Sequence, residues 1–371
     1  MEHAWGLWQK KAITFHRIGS TLIPSRQAIA FRAITLFTAS CAISTALLVG
    51  EAYSYSGREV IVYTALDQLY SEPILRQFEK ETGIAVRTRF DTEASKTTGL
   101  FNRLVAEARR SRCDVFWNNE VLRTVQLKKR GLLQPYAAPN ARDIPAAFKD
   151  PDGYWTGFAA RARVLVYNTD ALTSATAPRS IFDLARPAWK GRTAIAYPLF
   201  GTTASHAAAL FAHLGPARAQ AYFRSLRDNG VQILDGNALV CRSVARGELA
   251  AGLTDTDDAY SERLDGGHVA FLLPDQAPGE IGALLIPNTL ALVRDCPNPE
   301  AGRRLINYLL EAKVENALAV GRSAQIPVRP SGVASKTGIR IEDVRLMPFD
   351  YEKAAEQMEA SGRFLQELFA R

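Results

Sequence analysis

The stretch Leu249–Tyr260, LAAGLTDTDDAY, places an apolar run directly before three aspartates, Asp255, Asp257 and Asp258. An apolar run that ends in polar residues is typical of a buried strand whose carboxyl end reaches a crevice, where open α/β sheets bind their ligands. Close carboxylates repel one another unless a cation, hydrogen-bond donors or water compensates them. The stretch therefore predicts either a loop that binds a metal ion or an amine, or a solvated strand-to-helix turn with one aspartate as helix cap.

Strand-like and helix-like segments alternate on both sides of this stretch. Near the start, Val60–Tyr63, Glu72–Thr82 and Ile84–Val86 read as strand, helix and strand, which implies parallel strands and a right-handed crossover. The alternation continues to a helix at Tyr351–Phe369. We therefore predict an α/β fold, and because no long Pro- or Ser-rich linker divides the chain, crossing strands must join any two lobes.

Two further polar segments precede predicted helices. Asp91–Gly99 leads into a helix at Leu100–Arg110, and Pro198–His206 leads into a helix at Ala207–Leu214. Hydroxyl groups and free backbone N–H groups at a helix start can bind an anion, although they also form ordinary helix caps. The sequence thus offers two candidate anion sites.

The predicted strand Ala159–Tyr167 carries two arginines, Arg161 and Arg163. Because side chains alternate between the two faces of a strand, both arginines share one face. They would meet solvent there, or bind an anion or the acidic stretch. His206, at a helix start, is interpreted as a ligand contact or, more commonly for such a residue, a capping or surface residue.

Composition and motifs narrow the function classes. A chain of 371 residues is long enough for two domains. Its net charge of +7 includes +3 from residues 1–52, and the nearly balanced remainder has no basic stripe, so no nucleic-acid partner is expected. The sequence contains no nucleophile elbow, zinc-protease, P-loop, dinucleotide-binding or EF-hand motif, so no enzyme is expected. A sensor module and a hydrolase stay open as alternatives.

Residues 1–52 have the pattern of a targeting segment. A basic part ends at Arg32, the uncharged apolar run Ala33–Gly50 follows, and small residues at 50 and 52 suit a cut after Ala52. This predicts a secretory signal peptide, with an N-terminal anchor or a lipid on Cys41 as alternatives. In each case the remainder is expected outside the cytoplasm, in the periplasm.

Six short stretches after residue 58 carry a family resemblance. They are Val60–Tyr63, Phe78–Ile84, Asp114–Trp117, Gly131–Leu133, Ala160–Tyr167 and Pro187–Gly191. In this order they resemble the periplasmic solute-binding proteins of ABC importers, in the ferric-ion-type branch of the family-1 extracellular solute-binding proteins. The resemblance implies a type II periplasmic binding protein, in which a hinge joins two α/β lobes and a ligand cleft lies between them. Lobe 1 would hold 58–160 plus 288–330, and lobe 2 would hold 161–287 plus 331–371.

The resemblance also implies a function. Such proteins bind a small charged ligand, here ferric iron or another metal with a synergistic anion, and deliver it to an ABC permease and its ATPase. We expect a monomer that needs no other cofactor. Ferric-binding relatives place two consecutive tyrosines where this chain has Asp257 and Asp258, a histidine at Asp67, and a glutamate at Asn119 or Glu120. The chain thus lacks the tyrosine pair of those relatives.

The residues allow two ligand classes. In the first, Asp67, Glu120, Asp257 and Asp258 bind a metal ion through oxygen atoms, and an anion sits on the threonine-rich helix starts. In the second, those helix starts and Arg161 hold a phosphate or phosphonate, and the aspartates hold an amine. Together the candidate ligand-binding residues are Asp67, Ser95, Thr97, Thr98, Asn119, Glu120, Arg161, Gly201, Thr202, Thr203, Asp255, Asp257 and Asp258.

Overall fold

The computed structural model describes residues 58–91, 96–330 and 332–370. The predicted leader 1–52 and the candidate residue Ser95 lie outside these ranges. No helix within the described ranges is both long and apolar enough to cross a membrane.

Strands and helices alternate along the described chain, as the sequence pattern predicts. The strands are β1 Glu59–Thr64, β2 Ala85–Phe90, β3 Val115–Asn118, β4 Leu133–Gln134, β5 Thr156–Asn168, β6 Thr193–Ala196, β7 Gln232–Leu234, β8 Ala251–Asp255, β9 Val269–Leu272 and β10 Leu285–Val293. The α-helices are α1 Gln68–Thr82, α2 Thr98–Ala106, α3 Leu122–Lys129, α4 Gly201–Leu214, α5 Pro216–Asp228, α6 Asn237–Ala245, α7 Thr256–Leu264, α8 Pro299–Leu309, α9 Ala312–Val320 and α10 Tyr351–Leu368.

The strands form two parallel groups joined by antiparallel strands. Their order is β2-β1-β3-β10-β5-β8-β6-β7, with β4 beside β10 and β9 beside β5. The pairs β1–β2, β1–β3, β6–β7 and β6–β8 are parallel, whereas β5 and β10 run antiparallel to their neighbours. Parallel strands need crossover helices, which explains the alternation seen in the sequence.

Strand β5 belongs to both groups. Up to Ala162 it pairs with β10, and from Arg163 onward it pairs with β8. The register of β10 shifts between Pro287 and Asn288, because proline has no N–H to give to the ladder. Ala159 in β5 has a left-handed φ of 42°. These irregularities interrupt the sheet where the sequence predicts the crossing between lobes, and the division of residues between lobes stays a prediction.

Several helix starts differ from the sequence-based expectation. Helix α1 begins at Gln68 rather than Glu72, and α2 begins at Thr98 rather than Leu100. Helix α4 begins at Gly201 rather than Ala207, so Thr202 and Thr203 lie in its first turn. Glycine and threonine have low helix propensity, and for this reason the sequence pattern predicts a helix start after these residues. The packing of the α4 surface outweighs that preference, since ten of its side chains are buried.

We expect Gly252→Ala to destabilise the fold by about 1–3 kcal/mol, because the added methyl group would overpack the core at this position. A Cβ atom on Gly252 would lie 2.4 Å from Val240 Cγ1 and 3.1 Å from the carbonyl oxygen of Ala194. Urea unfolding measures the loss. Gly362→Ala is the control, since a Cβ atom there meets nothing within 4 Å and alanine favours the helix interior. Equal losses in both variants would contradict the steric reason.

Candidate ligand-binding cleft

The carboxyl ends of several strands converge on one cleft of about 450 Å³. Its lining comprises Asp67, Lys96, Asn119, Arg161, Ala196, Tyr197, Phe200, Gly201, Thr202, Thr203, Asp235, Gly236, Asn237, Asp255, Asp257 and Asp258. Most of these residues end β3, β6, β7 and β8 or follow them closely. Open α/β sheets bind ligands at this edge, and the structure brings nine of the thirteen candidate residues there.

The three aspartates of the opening stretch form a cluster in this cleft. One carboxylate oxygen from each of Asp255, Asp257 and Asp258 lies within 4.8 Å of the others. Asp255 is the last residue of β8, and the other two lie in the first turn of α7. The strand thus passes directly into the helix in place of the predicted loop. Asp255 occupies the N-cap position, but its side chain makes no cap hydrogen bond.

The Asp255 side chain instead pairs with Arg163. Arg163 is fully buried, and its Nη1 donates to Asp255 Oδ1 at 2.7 Å. The other carboxylate oxygen accepts from Thr202 Oγ1 at 2.5 Å and from Asn237 Nδ2 at 2.9 Å. Arg163 Nη2 donates to Thr203 Oγ1 at 3.2 Å. This network spans β5, α4, α6 and β8, so it commits Asp255 and the two threonine hydroxyls to the wall of the cleft.

Arg161 is held far more loosely than Arg163. It is 3% exposed, its Nη1 lies 3.6 Å from Asp257 Oδ2, and its Nη2 donates to Asn288 Oδ1 at 3.4 Å. Its buried Nε has no hydrogen-bond partner among the described residues. Arg161 therefore offers a buried positive charge with unused hydrogen-bonding capacity to the cleft.

Burial disfavours the charged forms of both Asp257 and Arg161. Burial raises the pKa of the Asp257 carboxyl above its usual range, where Arg161 opposes the shift and Asp255 and Asp67 add to it. Burial also lowers the pKa of the Arg161 guanidinium, but the carboxylates of Asp257 and Asp255 outweigh it and raise that pKa overall. An added cation near Asp257 would relieve the repulsion among the aspartates.

Asp67 and Asn119 come to the cleft from the group of strands that contains β1 and β3. Asp67 Oδ1 pairs with Lys96 Nζ at 2.7 Å. The buried Oδ1 of Asn119 has no hydrogen-bond partner in the described part of the chain. The Gly201 N–H donates to the carbonyl oxygen of Lys96 at 3.2 Å, so the segment before α2 touches the start of α4 directly.

Three candidate residues are described but do not line the cleft. Glu120 Oε2 accepts from the Leu122 N–H and from Ser205 Oγ, both at 2.7 Å, while its Oε1 accepts from the Arg123 N–H at 2.9 Å. Glu120 therefore binds the first N–H groups of α3, and its neighbour Asn119 is the residue of this pair that lines the cleft. Thr97 is buried, and Thr98 Oγ1 accepts from the guanidinium of a neighbouring helix at 3.3 Å.

Seven residues that line the cleft are not among the thirteen candidates: Lys96, Ala196, Tyr197, Phe200, Asp235, Gly236 and Asn237. Asp235 and Asn237 follow β7 just as the aspartate cluster follows β8. The signal of a strand that ends in polar residues and leads into a helix was thus present twice.

His206 differs from its predicted setting. It is buried rather than capping or exposed, and it does not line the cleft. Burial, and then the nearby Arg163 guanidinium, lower its pKa to about 3. The neutral ring therefore carries no charge into the Arg163 network at physiological pH.

Comparisons with known proteins identify a family and similar folds. The family model described as bacterial extracellular solute-binding protein matches residues 123–349, more than half of the chain. The chain is 29% identical over 212 residues to the Fe(3+)-binding periplasmic protein of Serratia marcescens, which covers 57% of this chain and 61% of that protein. The ferric binding protein from Campylobacter jejuni superposes with a TM-score of 0.75 at 21% identity, covering 84% of this chain and all of that one.

A second solved structure contains an organic ligand. It is the periplasmic binding protein AfuA from Actinobacillus pleuropneumoniae with exogenous fructose-6-phosphate bound. It superposes with a TM-score of 0.74 at 20% identity, covering 83% of this chain and 98% of that one. Both superpositions establish a similar fold at low sequence identity.

Proposed function

Because the chain belongs to the bacterial extracellular solute-binding proteins, we propose that it binds a metal cation, first of all ferric iron, together with a small anion in its cleft. The predicted fold is confirmed: two α/β lobes joined by a hinge, as in type II periplasmic binding proteins. In this proposal the protein works in the periplasm as a monomer and delivers its cargo to an ABC permease and its ATPase. It performs no catalysis.

The aspartate cluster is the observation that carries the proposal. Asp257 and Asp258 present oxygen atoms close to each other, and Asp67 lines the same cleft. Asn119 lines it too, and its Oδ1 has no partner among the described residues. Carboxylate and amide oxygens suit hard cations such as ferric iron. The Serratia and Campylobacter proteins, named for ferric iron, support this choice of cargo.

Arg161 and Lys96 provide the place for the anion. Both line the cleft, and Arg161 has an unused N–H. A cation drawn to Asp257 competes with the ion pair between Asp257 and Arg161, so an accompanying anion would restore the balance of charge around Arg161. The first turn of α4, at Gly201, adds the positive end of a helix to the same cleft.

A phosphorylated small molecule is the second candidate cargo. The rings of Tyr197 and Phe200 are part of the cleft wall and offer apolar surface to an organic ligand. In this alternative Arg161 and Lys96 would bind the phosphate, while the aspartates would accept hydrogen bonds from hydroxyls or bind an amine. The fructose-6-phosphate in AfuA supports it.

Equilibrium dialysis of the purified full chain decides between the two candidates. We expect one iron per chain when ferric iron is supplied as its citrate complex, with tighter binding when phosphate is added. Binding of fructose 6-phosphate without any binding of iron would replace the first candidate by the second. If neither is bound, both are wrong.

We expect iron affinity to fall as the pH is lowered from about 7 to about 4, starting above the range in which an ordinary aspartate titrates. A proton competes with the cation for Asp257, and burial raises the pKa of that carboxyl. Dialysis at a series of pH values gives the profile. The variant Asp257→Asn should bind weakly with a flatter profile, and an unchanged profile would contradict the role of this carboxyl.

A further inference from the structure

A second cavity lies on the other side of the segment 198–204, between α3 and α10. It is an open surface cavity of about 790 Å³, which includes space open to solvent. Its wall contains Arg123 of α3 and Arg130, which follows α3 directly, together with Ser361 and Gln366 of α10. We propose that this cavity is a second binding site, separate from the cleft, for a small multivalent oxyanion such as phosphate.

Arg123 is a partly buried cation whose side-chain hydrogen bonds go to neutral groups. Its Nη1 donates to Gln126 Oε1 at 2.9 Å and its Nη2 to Thr98 Oγ1 at 3.3 Å, and both of these acceptors are neutral. Its Nε is buried and has no partner, and no carboxylate of the described chain forms an ion pair with it. Burial is the main cause that lowers its pKa, while the charge of Glu120 acts in the opposite direction. A partly buried cation that forms no ion pair favours an anion beside it.

Arg130 adds a second positive charge at the C-cap of α3. It lies seven residues after Arg123, about two helical turns, which brings the two side chains to the same side. Both guanidinium carbons lie over the ring of Phe101, at 4.9 Å and 5.3 Å from its centroid. The ring thus holds two like charges close together, and an anion in the cavity would compensate both.

The nearby acidic side chains of α10 have other cationic partners. Glu359 lines the cavity, but its carboxylate pairs with Arg363 one helical turn further on. Glu356 pairs with Lys129 at 2.9 Å. The positive charge of the cavity is therefore not balanced by the helix that closes it.

The cavity is distinct from the cleft, although the two are neighbours. Pro198, Leu199 and Ala204 line the cavity, whereas residues 200–203 line the cleft. No residue of the described chain lines both. An anion in the cavity and a ligand in the cleft can therefore be bound at the same time.

Equilibrium dialysis of the full chain with radiolabelled inorganic phosphate tests the site. We expect Arg130→Gln and Arg123→Gln each to weaken one phosphate site about tenfold or more, since each removes hydrogen bonds to a charged group. Arg130 is exposed, so its variant is the one expected to keep the wild-type fold. Lys129→Gln is the matched control, because it removes a neighbouring positive charge that lies outside the cavity wall.

Arg161→Gln separates this site from the cleft. We expect it to leave the phosphate site of the cavity unchanged, whatever it does to binding in the cleft. The proposal is wrong if phosphate binds to both cavity variants as to the wild type, or if every bound phosphate is lost in Arg161→Gln. It is also wrong if Lys129→Gln weakens binding as much as Arg130→Gln does.

Discussion

Replacing Arg163 with methionine is expected to lower the free energy of unfolding by about 3–5 kcal/mol, because it leaves a buried carboxylate without its cation. Arg163 is fully buried and donates to Asp255, Thr202, Thr203 and Asn237. Methionine fills a similar volume but supplies no donor. Urea unfolding of the ligand-free protein measures the change.

Arg161→Met is the matched control for this prediction. Arg161 lies on the same face of the same strand and is also buried, but its contacts are longer, at 3.4 and 3.6 Å. We expect a clearly smaller loss of stability. The double variant Arg163→Met/Asp255→Leu should recover much of the loss, since both charges then leave the interior together. The prediction is wrong if both arginine variants lose the same free energy of unfolding, or if the double variant recovers none of it. Either result would show that the Arg163–Asp255 ion pair does not determine the stability.

These two arginines also mark what the sequence can predict. The period of two correctly placed both on one face and suggested contact with the acidic stretch. Their different roles depend on the register of β5, where Arg163 lies opposite Asp255 and Arg161 lies opposite Ile286. That register joins segments about a hundred residues apart, so it cannot be predicted from any local sequence pattern.

The fold, unlike the strand register, could be predicted because it depends on local patterns. Alternating strands and helices are a local pattern, and the stretches that carry the family resemblance retain their order along the chain, so the type II architecture followed from them. The site was predictable only in part. The sequence Asn118-Asn119-Glu120 does not tell which side chain turns inward, and that choice depends on Glu120 accepting the first N–H groups of α3.

The same limit applies to the threonines of α4. Hydroxyls at a helix start predict an anion site, and Gly201, Thr202 and Thr203 do line the cleft. However, Arg163 donates to both hydroxyls, so they are engaged before any ligand arrives. Arg161 is then the stronger candidate for holding an anion, because its Nε is unused.

Asp257→Asn is expected to weaken ferric iron binding at least about 30-fold, because removing one member of a buried charge pair costs about 2–5 kcal/mol. The amide keeps the shape of the side chain but loses the charge that attracts the cation. Asp258→Asn should act in the same direction. Dialysis of the full-chain variants against ferric citrate gives the affinities.

Asp265→Asn is the control for this change, since Asp265 follows α7 directly but is exposed and pairs with Arg322 instead of lining the cleft. We expect it to bind iron as the wild type does. If iron binds equally well to the Asp257 and Asp265 variants, the aspartate cluster is not the metal site. If fructose 6-phosphate is the cargo, Asp257→Asn removes only a hydrogen-bond acceptor. The loss should then be nearer tenfold for the sugar phosphate and independent of added iron, because no cation bridges the ligand to the protein.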